Sequence, residues 1–470
     1  MMRTSVDGLV KHPANLLQEP VRVKDRELAI ASEDYSLLTD LYQLTMAACY
    51  TGEGLDQTRA SFELFARRLP AGFGYLIAMG LEQALDYLEK FRFSPSQIVA
   101  LQATGIFDRA PDRFWSLLAD ARFTGDVWAV PEGTAVFANE PLLRVEAPLW
   151  QAQLVETYLL NTINYQTLVA TRAARIRDVA GPEATLLEFG TRRAFSPQAS
   201  LWAARAALAA GLDATSNVLA AIKLGQKPSG TMAHALVMAL TATAGSEGEA
   251  FTSFHRYFPG APLLIDTYDT VAAAQMLAEK LDAGEMQLSG VRLDSGDLVG
   301  LSKQVRSLLP DVPIFASGDL DEWEIARLQA GGACLDGYGL GTRLVTGTPV
   351  NGVYKLVEID GIPVMKQSSG KVTYPGRKQI FRCFEGNLMK GDRLGLVTES
   401  PQFEQPLLQP MFKQGERVFL PESLAEIRER TAISVASLPA ETRQLDSPVS
   451  PSVEVSAALL ELMEQTRRSG

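Results

Sequence analysis

Apolar residues recur at three- and four-residue steps through LLTDLYQLTMAACY (37–50), the period of an amphipathic helix. The stretch from Tyr35 to about Lys90 is therefore expected to be largely helical. DVWAVPEGTAVFANEPLLRVEAPL (126–149) breaks into short valine-rich runs separated by turn residues, which predicts small strands. A second long helical pattern runs from Trp150 to about Ile176. The pattern then changes to short apolar runs, each followed by a helical one. ATLLEFG (184–190) is the first, and Ser196 and Pro197 open the helix after it as N-cap and first-turn residue, with Gly211 closing it. PLLIDTYDT (262–270), SGVRLDSGDL (289–298), VPIFASGDL (312–320) and CLDGYGLGTRL (334–344) repeat the arrangement. Fully apolar strands alternating with helices predict an α/β fold with a parallel sheet.

Polar residues collect where these strands end: Glu188 and Arg192, Asp266, Arg292 and Asp294, then Ser317, Gly318 and Asp319, and finally Gly339, Gly341 and Thr342. A ring of polar strand ends is the active-site rim of an α/β barrel, whereas an open sheet uses one switch point. A barrel is the expectation. Beyond Pro349 the period shortens: GVYKLVEIDGIPVMKQS (352–368) is two alternating runs joined by Asp360–Gly361, a hairpin signal. KVTYPGRKQIFRCF (371–384) adds another strand-like run, and the tail from about 420 carries two amphipathic helical patterns. These shifts divide the chain into a polar extension (1–33), a helix-and-strand unit (34–145), the barrel (146–348), a β-rich return (349–420) and a helical tail (421–470).

Composition narrows the partners. The 470 residues are 46% hydrophobic and 21% charged, as in a packed globular protein. A net charge of -11 without a basic cluster argues against nucleic acid or an anionic membrane surface. Cys49, Cys334 and Cys383 form no paired spacing, the N-terminus lacks a signal-peptide core, and no apolar run approaches the ~20 residues that span a bilayer. A cytoplasmic protein is expected.

Candidate chemistry centres on few groups. The chain has three histidines; His12 lies in the polar extension, while His234 stands in KPSGTMAHAL (227–236) among small and apolar residues. Such a residue is either an inert helical histidine or a nitrogen nucleophile or base. RLDSGD (292–297) offers carboxylates for ribose hydroxyls or a hydrated Mg2+, although Asp294 or Ser295 serves equally as a helix cap. SGD (317–319) and GLGT (339–342) are turns whose backbone amides suit phosphate. EFGTRR (188–193) places an aromatic ring beside Arg192 and Arg193, whose planar forks suit phosphate or carboxylate. Tyr42, taken alone, reads as a core aromatic.

LLTDLYQLTM, FELFARRLP, LLEFGTRRAFSP, SNVLAAIKLGQKPSGTMAHALVMAL, LLIDTYDT, VRLDSGDL, GLGTRLVTG and VYKL occur in this order over roughly residues 34–384. Together they closely resemble the nicotinate phosphoribosyltransferase family. The resemblance implies an irregular α/β barrel plus an open-faced α+β sandwich domain built from N- and C-terminal segments. It also implies homodimers with shared active sites, in which Tyr42 reaches the partner's barrel. The implied reaction joins nicotinate to 5-phosphoribosyl-1-pyrophosphate, giving nicotinate mononucleotide and pyrophosphate, with Mg2+ as cofactor and ATP as co-substrate. By the same resemblance Phe189 and Tyr42 sandwich the pyridine, while Thr231 and Arg292 meet its carboxylate. Arg192, Asp294, Gly318, Gly339, Gly341 and Thr342 then hold the phosphoribosyl and phosphate groups. His234 becomes a phosphohistidine that couples ATP to turnover. The metal ligands are left open. One departure stands beside it: Ala235 follows the histidine where many members carry serine. A nicotinamide-specific enzyme of the same architecture and a non-catalytic nucleotide-binding relative are the alternatives.

Overall fold

A computed structural model describes residues 28–368, 371–401 and 403–469. His12 and most of the N-terminal extension lie outside the described residues. The stretch expected to be largely helical contains the strand Arg59–Ala66, central in a seven-stranded sheet. This corrects the helical reading of 35–90. All but the first residue of the strand are buried, so it lacks the alternation that marks a half-exposed strand. It pairs antiparallel with Pro141–Pro148 on one side and with Gly352–Ile359 on the other. N-terminal and C-terminal segments thus share one sheet. A buried ion pair fastens the next layer: Lys378 Nζ lies 2.9 Å from Glu63 Oε2. The hairpin at Asp360–Gly361 forms with both residues in the left-handed region.

The middle of the chain builds the second sheet. Six parallel strands run in the order Ala214–Thr215, Thr185–Glu188, Gly337–Leu340, Ile314–Ala316, Val291–Leu293 and Leu263–Leu264. Helices Thr270–Asp282, Leu298–Leu308 and Glu322–Ala330 follow three of them, and the aspartates Asp269, Asp297 and Asp321 cap their first turns. The expected barrel is not closed: among the described residues, Ala214–Thr215 and Leu263–Leu264 are the two edges and do not pair. The reason is local. Between these edges the chain forms helices Val218–Lys223, His234–Ala244 and Glu247–Tyr257, which supply no strand to bridge the gap.

Helix Glu156–Ala180 joins the two halves; Thr171 and Thr167 accept hydrogen bonds from the amides of Ile77 and Met79. Glu132 adds a second tie. Its carboxylate accepts from the amides of Gly80 and Leu81 and is 2.6 Å from Arg205 Nη2 in the helix Pro197–Ala209. No helix among the described residues is long and apolar enough to cross a membrane.

Candidate active site

The C-terminal ends of five parallel strands and the 228–233 segment enclose a cleft of about 1090 Å³. Phe189, Arg192, Thr231, Arg292, Asp294, Gly318, Gly339, Gly341 and Thr342 all line it. Each local fold follows from its sequence. Asp297 caps the helix after Val291–Leu293, which leaves Asp294 free of capping and resolves the earlier ambiguity. Asp294 instead accepts a hydrogen bond from the Ser317 hydroxyl, and its amide donates to Asp266 Oδ2 at 2.7 Å. Gly318 adopts φ +97, and a Cβ there would stand 2.2 Å from the Asp294 carbonyl oxygen. Only glycine lets that turn approach so closely.

Beside this turn lies a platform. The Phe189 ring lies against Gly339, where a Cβ would come within 2.6 Å of the ring. The Arg292 guanidinium sits 5.9 Å from the ring centroid and donates through Nη2 to the Met232 carbonyl at 3.1 Å. Its Nε is buried without a partner. Burial pulls the guanidinium below its ordinary range, against the pull of Asp294 and Asp266. A half-buried, half-satisfied planar cation above an aromatic face is suited to a carboxylate on a flat ring. The Thr231 hydroxyl donates to the Met232 carbonyl beside it.

Arg192 and Arg193 are exposed at the mouth. The Gly339–Thr342 turn is braced from behind: Arg343 pairs with Asp321 at 2.6 Å, and Arg172 donates to the Arg343 carbonyl.

His234 opens the helix His234–Ala244 at the edge of the cleft, with its side chain 39% exposed. Nδ1 meets the Thr267 hydroxyl at 3.1 Å, while Nε2 faces Asp266 Oδ1 and Asp294 Oδ2, each at 3.9 Å. Asp266 is 3% exposed and this Oδ1 has no hydrogen-bond partner. Thr267 escaped sequence reasoning; its place directly after the strand-end Asp266 was the available signal. His255, by contrast, is occupied by the Gln287 amide. Ala235 is exposed, so the missing serine hydroxyl leaves no buried group unpaired.

Tyr42 is not brought into the cleft of its own chain. It lies on the helix Leu41–Gly52, 46% exposed, and its hydroxyl donates to Glu156 at 3.1 Å. Burial and the Glu156 charge push its phenol up to about 12, so it is neutral at working pH. No group of three or more His, Cys, Asp or Glu side chains converges as a metal site among the described residues.

The chain matches three family models: the nicotinate phosphoribosyltransferase N-terminal domain over residues 37–164, the nicotinate phosphoribosyltransferase family over 184–312, and its C-terminal domain over 397–463. It is 42% identical to a nicotinate phosphoribosyltransferase of Mycobacterium tuberculosis, across 89% of this chain and 91% of that one. It is 44% identical to the Bacillus subtilis enzyme of that name, across 79% and 78%. The crystal structure of human nicotinic acid phosphoribosyltransferase superposes with a TM-score of 0.80 at 31% identity, covering 91% of this chain and 99% of the other. On sequence, fold and site together, the chain belongs to the nicotinate phosphoribosyltransferase family.

Proposed function

We propose that this family member joins nicotinate to 5-phosphoribosyl-1-pyrophosphate, releasing pyrophosphate, and couples the transfer to ATP through His234. The observation that carries the reading is Arg292: a half-buried guanidinium whose buried Nε has no partner, above the Phe189 face and opening into a cleft that the phosphate turns also line. Nicotinate lies with its ring on Phe189 and its carboxylate on Arg292, assisted by Thr231. The stacked ring contributes about 0.5–1.5 kcal/mol beyond area burial.

Departure of pyrophosphate leaves positive charge at the ribose C1, beside the Asp294 carboxylate. Backbone amides at Gly318, Gly341 and Thr342, with Arg192 at the mouth, hold the phosphates. Such oriented charges act without reorganising during the reaction. The ring nitrogen of nicotinate attacks C1, the C1–O bond breaks, and pyrophosphate takes the electron pair. Asp294 and Asp319 are the carboxylates lining the cleft; they suit Mg2+, which takes one or two carboxylates and completes its shell with substrate oxygens. Bound there, the ion would neutralise charge on the leaving pyrophosphate.

His234 stands beside this machinery. Nδ1 as the protonated nitrogen donates to Thr267, which leaves Nε2 as the nucleophile towards the γ-phosphorus of ATP. The N–P bond forms, the P–O bond to ADP breaks, and ADP leaves. The added charge biases the cleft towards its substrate-binding state. A second subunit completes the site: Val218 and Phe258 at the mouth and Tyr42 on the distant helix are all exposed large hydrophobics, placed to meet across a dimer.

The test is turnover of nicotinate against nicotinamide with phosphoribosyl pyrophosphate. Nicotinate mononucleotide should form, with the amide at least about a hundredfold poorer, because it leaves the half-buried Arg292 charge unpaired. Equal turnover of the amide would replace this reading with the nicotinamide-specific one. Binding without turnover would replace it with the non-catalytic one.

A further inference from the structure

Side chains alternate between the two faces of a strand, and in the parallel sheet this separates two unlike surfaces. Leu186, Val291, Leu293, Ile314, Ala316 and Leu340 project to one face and are wholly buried. The other face carries Thr185, Leu187, Phe189, Arg292 and Phe315, with glycines between. The Phe315 ring fits between Gly290 and Gly337, where a Cβ would come within 2.6 and 2.7 Å of its two edges. In a closed barrel this face is filled by bulky branched side chains. Here the sheet is open and glycines and two flat rings share its inner face with Thr185, Leu187 and Arg292, so space remains: a cavity of about 260 Å³.

Its two ends differ. Phe189, Thr231, Arg292 and Gly339 line both this cavity and the substrate cleft. Thr185, Pro262 and Ser289 line the other end, at the N-terminal side of the strands, and Ser289 is exposed. Residues from strands far apart in the sheet order face one chamber, so the sheet curves around it. The chamber begins behind the nicotinate platform and reaches a second mouth. A dry cavity of about 150 Å³ holds benzene, and this one is larger.

We infer that the back of the pyridine subsite is open and takes ring-substituted aromatic acids: the carboxylate on Arg292, the ring on Phe189, and an apolar substituent of benzyl size running over Phe315 towards Ser289. This rests on the nicotinate reading of Arg292 and Phe189.

The test uses the full chain and a panel of nicotinates carrying a benzyl group at each free ring carbon, assayed as substrates and as competitors of nicotinate. At least one member should compete within about tenfold of nicotinate itself. Ser289→Trp, which fills the far mouth, should weaken that compound at least about tenfold, the factor that two buried methylenes carry. Nicotinate KM and kcat should stay unchanged on Ser289→Trp, since Ser289 does not line the cleft and the hydrogen bond that its backbone N–H donates to the Gly260 carbonyl is kept. Should that variant fail to fold, Thr185→Met narrows the same end from another strand and carries the same expectation. The inference is overturned if wild type turns over nicotinate but binds no benzyl compound, or if the mouth variants leave such binding untouched. Absence of nicotinate turnover by wild type would instead strike the proposed function.

Discussion

His234 Nε2 and Asp294 Oδ2 stand 3.9 Å apart, so a carboxylate that lines the cleft also faces the candidate phosphoryl acceptor. Asp266 lies against both and, of the two, is hydrogen-bonded to Asp294 alone. One of its oxygens accepts from the Asp294 amide, and the other faces Nε2 at the same 3.9 Å. A charge change at His234 is therefore felt directly at Asp294.

Arg292→Lys should raise KM for nicotinate about ten- to a hundredfold with a smaller effect on kcat, because a planar fork becomes a point charge while the net charge stays. Initial rates at saturating phosphoribosyl pyrophosphate measure it. A KM near wild type would remove Arg292 from direct substrate contact.

Gly318→Ala places a methyl 2.2 Å from the Asp294 carbonyl at a left-handed φ. Strain of about 1–3 kcal/mol is expected, so kcat/KM for phosphoribosyl pyrophosphate should fall at least about tenfold. Steady-state kinetics and the Tm of the same sample check it; unchanged values for both would mean that the turn does not position Asp294.

How much of this was legible in the sequence depends on the range of the forces involved. The strand-and-helix units around Glu188, Arg292, Ser317 and Gly339 could be read because each short apolar run ends in its own turn and cap. Phe189, Arg292 and Asp294 sit at those strand ends, so period and position alone bring them to one rim. Strand Arg59–Ala66 was not legible, because burial on both faces erased its period. Nor was the open sheet edge, which depends on helices between Val218 and Tyr257 that supply no strand. Tyr42 carried no local signal at all; the expectation that it reaches a partner's barrel entered only through resemblance.

Glu132 gives a pH prediction for the fold. Burial alone would raise its carboxyl, but Arg205 and the Gly80 and Leu81 amides outweigh this and hold it below the ordinary range. A depressed folded-state value stabilises the protein above the unfolded value of about 4.3 and loses that contribution as pH falls through the folded value. Glu132→Gln should cost on the order of 3–5 kcal/mol at pH 7, as breaking a buried pair does. It should also flatten the acid limb. Urea unfolding at pH 7 and below 4 reads both; an equal loss at the two pH values would contradict the linkage.

Tyr42→Ala should raise KM for nicotinate although the residue lies outside the cleft of its own chain. Mixed dimers of Tyr42→Ala with Arg292→Lys chains should be more active than either parent, because one hybrid site regains both groups. No recovery in dimers verified as mixed would mean that the sites are not shared.

The division of labour between His234 and the cleft is tested most directly by His234→Ala, assayed beside wild type for nicotinate mononucleotide formation with and without ATP and for labelling from γ-labelled ATP. Wild type should take up acid-labile label and form product faster with ATP. The variant should take up none and lose the ATP stimulation, yet retain slow ATP-independent transfer, since Phe189, Arg292 and Asp294 remain. A variant that still takes up label and still responds to ATP would contradict the account.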